Sequence, residues 1–163
     1  MSAELILGID PGTAVTGYGV VAKASGSAVS LVECGVVRTS SGEALAVRIR
    51  EIYQEIAALI SRHEPTVVVV EDVFLGKNVK SALKLGHARG AILLAAALSE
   101  IPIAEYSPRE IKKAVVGNGN ATKDQVGFMV QQQLRLKAPP SPADASDGVA
   151  AALCHCVMGA LKV

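Results

Sequence analysis

Apolar and polar positions along this chain predict three β elements, a helix and a strand, then a helix, a strand and three helices. Leu5-Ile6-Leu7-Gly8-Ile9 is a short apolar run that ends at Asp10-Pro11-Gly12, where Pro and Gly force a turn. Thr16–Ala22 and Ala28–Arg38 come next, separated by Ser25-Gly26-Ser27, and read as antiparallel meander strands. Leu45, Ile49, Ile52, Ile56 and Leu59 then recur at helical spacing, and Pro65 stops that helix. The β-branched run Thr66–Val70 has the makeup of a central strand. Beyond it the pattern predicts a helix over Val79–Ser99 and a short strand over Pro102–Glu105. Helices are expected over Pro108–Val115, Thr122–Leu136 and Pro142–Leu161, the last two joined by the stiff connector Lys137–Pro142. The order describes an α/β fold whose mixed sheet is covered by helices on its faces, and right-handed crossovers would set the fourth strand beside the first.

Composition narrows this picture. The 163 residues suit one domain, and with 50% hydrophobic and 19% charged residues the chain can bury a core, so disorder is excluded. The longest apolar stretches, Ala91–Leu98 and Gly148–Cys154, fall short of the roughly 20 residues a membrane helix needs. No basic region precedes the first apolar run and Asp10 interrupts it, so no secretory signal is expected. Cys34, Cys154 and Cys156 are an odd count, which argues against a disulfide framework and for the reducing cytoplasm. Cys154-His155-Cys156 suggests zinc, but neighbours on a helix diverge by about 100° and cannot converge on one ion. Buried small side chains are the better reading.

The net charge of +1 excludes the crudest signature of a nucleic-acid binder, yet it conceals a polarity. From Phe74 to Lys123 eight cations face three anions, whereas the remainder carries eight cations against twelve anions. A segment of this charge fits a phosphate-backbone footprint, and it reads equally as a solvated helix face.

Four carboxylates stand out by position. Asp10 closes the first strand and Glu71 the fourth; as parallel neighbours they would project at one carboxyl edge, where open α/β sheets place their sites. Asp144 and Asp147, three apart at the start of the last helix, share a face that a Pro-rich entry could aim at that edge. Four hard oxygen ligands suit Mg²⁺ or Mn²⁺, and two such ions could be held between them. Each acid also has a plainer reading. Ser141-Pro142-Ala143-Asp144 is a good helix start with Ser as N-cap, Asp147 favours the helix dipole, and Asp10 before Pro-Gly forms turns. Glu71 is harder to dismiss, since four valines precede it and a charge there needs a partner. Asp72 should face the other side of the strand. Phe74, in a Gly-containing loop between an acid and several lysines, could stack on an unpaired base, although a Phe after Val is commonly core. Ala82, Gly86, Ala88, Gly90 and Ala91 permit close approach to the predicted Val79–Ser99 helix, by the sheet or by a symmetric partner.

Together these residues carry a family resemblance. Ile6-Leu7-Gly8-Ile9-Asp10-Pro11-Gly12 with Thr16-Gly17-Tyr18-Gly19-Val20 resembles the opening of RuvC-type Holliday-junction resolvases. So do Val70-Glu71-Asp72-Val73-Phe74, Lys77-Asn78, and Ser81-Ala82-Leu83-Lys84-Leu85-Gly86-His87-Ala88-Arg89-Gly90. Lys112, Val115-Val116-Gly117, Gly119, Lys123 with Gln125-Val126, and Ala143-Asp144-Ala145-Ser146-Asp147 extend it over essentially the whole chain. The resemblance implies a single ribonuclease H-like nuclease domain with a five-stranded mixed sheet. It implies a bacterial homodimer that nicks two opposed strands of four-way junction DNA, in recombination and repair, beside the RuvA–RuvB branch-migration machine. The family's catalytic and metal-binding carboxylates fall on Asp10, Glu71, Asp144 and Asp147, and two Mg²⁺ ions (or Mn²⁺) would activate water and stabilise the leaving 3′ oxygen, giving 5′-phosphate ends. Its base-engaging aromatic falls on Phe74 and its lysines near the cut phosphate on Lys112 and Lys123. Lys77, Asn78, Lys84 and Arg89 are the further expected DNA contacts. Asp72 departs from the neutral Gln common in the family.

Two rival readings remain distinguishable. Asp10-Pro11-Gly12-Thr13 followed by Gly17 also resembles the phosphate loop of actin-like ATPases and sugar kinases, but the second Asp-Gly loop and the length for two domains are missing. A resolvase-like module that binds nucleic acid without cutting would not need all four carboxylates.

Overall fold

A computed structural model describes residues 3–72 and 76–159, so Val73, Phe74, Leu75 and Leu161 lie outside the described residues. Its elements run β1 (Glu4–Asp10), β2 (Val15–Lys23), β3 (Val29–Arg38), α1 (Leu45–His63), β4 (Val67–Glu71) and α2 (Val79–Leu98). They continue with β5 (Ile103–Tyr106), α3 (Pro108–Val116), α4 (Lys123–Gln133) and α5 (Ala143–Met158). The five strands form one sheet in the order β3-β2-β1-β4-β5. β1 is antiparallel to β2 and parallel to β4, and β4 is parallel to β5, so the fourth strand lies beside the first as expected.

Strand parity divides the core into two layers. Leu7, Ile9, Val68 and Val70 pack with Ile52, Ile56 and Ile92 of α1 and α2. Ile6, Val67 and Val69 face the other way, onto Val149, Ala152 and Leu153 of α5 and onto residues of α3 and α4. Asp10 and Glu71 have the parity of Ile6 and Val69, so both belong to the α5 side. Among the described residues no helix is long and apolar enough to cross a membrane.

Helix ends show where local rules were overridden. α3 and α4 begin with complete capping boxes, Ser107 with Glu110 and Thr122 with Gln125. α4 ends at Gln133, three residues before the expected Leu136: Arg135 adopts a left-handed conformation (φ 53°), and the Leu136 N–H turns back to the Gln131 carbonyl. No glycine marks that stop in the sequence. The expected Ser141 cap on α5 is also corrected. Pro142 is the N-cap, no side chain caps this end, and the Ala145 N–H bonds the Pro142 carbonyl. Proline offers no side-chain acceptor, so this bond to its carbonyl, and not a side-chain cap, is what closes a first-turn N–H from its position. Cys154 is buried in the core, Cys156 is half-buried, and His155 Nδ1 lies 2.8 Å from the Tyr106 hydroxyl.

Candidate active site

Site geometry begins with glycines. Gly8 and Gly19 are directly paired across β1 and β2, and Gly17 pairs with Asp10. All three face α5, where a Cβ on Gly8 would overlap the Gly148 carbonyl and a Cβ on Gly17 the Asp144 carbonyl. A Cβ on Gly19 would strike Val149, and one on Gly148 would strike the Tyr18 backbone. Helix α5 therefore rests on bare strand backbone, closer than side chains would allow. That seam brings the first turn of α5, and with it Asp144 and Asp147, to the end of β1. Sequence reasoning gave these glycines no role in the site. The available signal was their shared parity on neighbouring strands, opposite a glycine inside an apolar helix.

At the carboxyl edge of the sheet, the last parallel pair is Ile9 with Val70, which makes Asp10 and Glu71 the next residues on adjacent strands. Their side chains share a hydrogen bond. Two carboxylates cannot do this while both are charged. Burial, reinforced by Glu71, pushes the Asp10 carboxyl up to about 9. Lys123 opposes this shift, and Asp144 adds to it through space.

The second pair is held by Lys123, the first residue of α4. Its Nζ donates to Asp144 Oδ1 and lies equally close, at 3.0 Å, to Asp147 Oδ2. These bonds to Asp144 and Asp147 raise the Lys123 ammonium above its ordinary range. Burial pushes Asp147 up while the bond from Lys123 pulls it down, with Asp10 adding repulsion. Neither aspartate caps the helix with its side chain. The plain capping reading therefore does not describe how they are used, although the positive end of α5 still favours an acid in its first turn.

Thus the structure brings together Asp10, Glu71, Asp144, Asp147 and Lys123. Among the described residues no three acidic, histidine or cysteine side chains are gathered closely enough to hold an ion in this arrangement. The donor chemistry nevertheless fits a hard divalent cation: every candidate ligand is a carboxylate oxygen, burial and a neighbouring carboxylate disfavour the charge on Asp10, and the other pair closes on an ammonium where a cation would serve.

Other expected contacts are dispersed. Asn78 caps α2, its Oδ1 accepting the Ser81 N–H, and Lys77 and Lys84 are exposed beside it. Lys112 is half-buried on α3, a helix packed on α5. Arg89 is only 17% exposed, with Nη2 2.7 Å from Glu105 Oε1 and 3.4 Å from Asp72 Oδ1. This ties α2 to β5 and shows that Asp72 faces the α2 side of the sheet. Phe74 lies outside the described residues.

Comparison with known proteins gives one consistent family. The family model described as crossover junction endodeoxyribonuclease RuvC matches residues 6–155. A protein of that description from Alkalilimnicola ehrlichii is 52% identical over 150 residues, covering 92% of this chain and 89% of that protein. One from Pelotomaculum thermopropionicum is 48% identical over 151 residues, covering 93% and 92%. Among solved structures, Thermus thermophilus RuvC in complex with a Holliday junction substrate superposes with a TM-score of 0.91 at 35% identity, covering 97% of this chain and 96% of that one.

Proposed function

Because the chain belongs to the crossover junction endodeoxyribonuclease RuvC family, with a ribonuclease H-like fold, we propose that the acidic quartet at the carboxyl edge of its sheet is where it cuts DNA. The chain is an endodeoxyribonuclease, a hydrolase that resolves Holliday junctions in recombination and repair. The observation that carries the assignment of the site is the placing of the Asp10–Glu71 pair beside Asp144 and Asp147, which one lysine bridges, on strands and a helix that a glycine seam locks together.

In this reading Asp10, Glu71, Asp144 and Asp147 hold divalent cations, two Mg²⁺ ions or Mn²⁺ in their place. Bound there, such ions supply Lewis acidity and lower the pKa of water, the chemistry needed for in-line attack on phosphorus with departure of a 3′ oxygen and a 5′-phosphate product. Asp10, between the sheet pair and the α5 pair, is the central ligand. Lys123 limits the repulsion between Asp144 and Asp147, and its charge offsets the anionic pentacoordinate phosphorus.

The substrate is four-way junction DNA. Lys77, Asn78, Lys84, Lys112 and Lys123 contact its backbone, and Phe74 engages a base near the cut. Arg89 joins them only by loosening its contacts to Glu105 and Asp72. The enzyme acts as one nuclease domain per chain, as a cytoplasmic bacterial homodimer working with RuvA–RuvB. The outer face of α2 supports the dimer: Val79, Leu83, Leu94 and Leu98 are all more than half exposed, and Ile103 of β5 lies alongside Leu94 in a shallow apolar hollow. Two copies related by a two-fold axis present two identical sites, as cutting opposed strands requires.

The test is cleavage of a synthetic four-way junction against a linear duplex of the same sequence, each with Mg²⁺ and with EDTA. Paired nicks with 5′-phosphate ends in the junction with Mg²⁺, and intact duplex throughout, are expected. Equal cutting of both substrates, or cutting in EDTA, would remove the proposal.

A further inference from the structure

The Asp10 carboxylate is placed by a strand that ends with it, and the chain then enters the turn 11–14. The parallel ladder to β4 stops at Ile9 and Asp10 keeps only its pairing with Gly17 of β2, so the turn that follows at once shares in fixing its orientation. Three side chains hold the turn. Thr16, fully buried, both donates to the Gly12 carbonyl (2.7 Å) and accepts the Gly12 N–H (3.2 Å). Thr39, just past β3, donates its hydroxyl to the Thr13 carbonyl and its N–H to the Ala14 carbonyl (3.1 Å). Arg48 reaches across from α1: Nη2 donates to the same Thr13 carbonyl at 3.0 Å and Nε to the Thr39 hydroxyl at 2.9 Å.

The use made of Arg48 is unusual for its chemistry. A guanidinium fork matches a carboxylate or phosphate, yet among the described residues Arg48 forms no ion pair. One edge of the fork spans a carbonyl and the hydroxyl already bonded to that carbonyl, closing a ring of three hydrogen bonds. Thr13 and Arg48 are 35 residues apart, and Thr39 comes from a third segment. The ring therefore pins the turn after Asp10 to both β3 and α1. A hydroxyl that donates to one group while accepting from a charged donor is polarised by both, which strengthens the set.

We propose that Arg48 and Thr39 form a latch that fixes the turn after Asp10, and so act as positioning residues for strand cleavage. The proposal rests on the assignment of Asp10 to the cutting site. Its physical basis is that a misplacement of about 1 Å in a reacting constellation lowers the rate by about 10²-fold.

Three variants test it: Arg48→Met, which keeps the aliphatic stem; Thr39→Val, which removes the hydroxyl at constant shape; and Thr39→Ser, which restores the hydroxyl. For Arg48→Met and Thr39→Val, kcat for junction cleavage should fall by about 10- to 100-fold, with Thr39→Ser within about 3-fold of the parent. Junction Kd measured in EDTA should change by less than about 2-fold in all three, because no DNA contact is removed. Hydrogen exchange at the amides of Gly12 and Thr39 should quicken by about 10-fold in the first two variants only.

Exchange at the parental rate would show that there is no latch. Faster exchange with parental kcat would show that the latch does not serve cleavage. A raised Kd at unchanged kcat would make Arg48 a DNA contact instead, and each of these results overturns the proposal. Exchange is read without any cleavage, so it is independent of whether Asp10 cuts. Should Arg48→Met fail to fold, the Thr39 pair alone decides.

Discussion

Asp10→Asn should lower the rate of junction cleavage by about 10³-fold or more while leaving junction affinity within a few-fold, because it removes a group needed only as the phosphate reacts. Asparagine keeps the size of the side chain and a donor for the bond to Glu71, so the change is in charge and ligand strength. The same substitution should stabilise the protein in EDTA. Burial and the adjacent Glu71 push the Asp10 carboxyl up to about 9 in the fold, so in the metal-free state it keeps a proton that it releases on unfolding. Between about pH 4 and pH 9 the native state then binds more protons than the unfolded chain, and stability falls as pH rises through that window. Asparagine is free of this penalty. At pH 8 the variant should melt several degrees above the parent, corresponding to a few kcal/mol at most given about 1.4 kcal/mol per pK unit. Near pH 3 the difference should vanish. Loss of junction binding, or a variant less stable at pH 8, would make Asp10 a structural residue.

The second large effect belongs to a residue with no functional group. Gly148→Val should destabilise by more than about 3 kcal/mol, seen as a fall of ten degrees or so in melting temperature and loss of cleavage, because overpacking a rigid contact is met by displacement. Even its first carbon would overlap Tyr18 and Gly17 backbone, so α5 must lift from β2 and carry Asp144 and Asp147 away from Asp10. Gly42→Ala, in the turn before α1, is the control. A Cβ there meets only Ser40 Oγ, at 3.7 Å, an ordinary contact, and alanine should be neutral or stabilise by up to about 1 kcal/mol. If Gly148→Val melted like the parent, the seam would not be what sets the distance between the acid pairs.

Much of this site is legible in the order of residues alone. Period-two alternation gives Asp10 and Glu71 their place at one edge, because each ends an apolar strand whose parity is readable from its neighbours. Crossover handedness gives the adjacency of those strands. Whatever depends on close approach between distant segments is not legible in the same way. The glycines at 8, 17, 19 and 148 look like ordinary weak points of strands and a helix until α5 is laid on them. Ser141-Pro142 has the composition of a capped helix start, yet Pro142 takes the cap position. Arg89 counts as a cation in the basic segment but lies against Glu105 and Asp72, so a tally of cations does not tell which of them are free to face DNA. Arg48 sits in an unremarkable helical pattern, and nothing local joins it to the turn it holds.

One measurement bears most directly on the claim that four carboxylates form a divalent-cation site for cutting DNA. Mn²⁺ binding is titrated by electron paramagnetic resonance in the presence of a four-way junction with a non-hydrolysable backbone, the junction alone being subtracted. The parent protein should take up Mn²⁺ stoichiometrically, and Asp10→Asn, Glu71→Gln and Asp147→Asn should each weaken uptake by about 10-fold or more, as expected for lost ligands. Uptake that is absent in the parent, or unaltered in all three variants, would contradict the assignment.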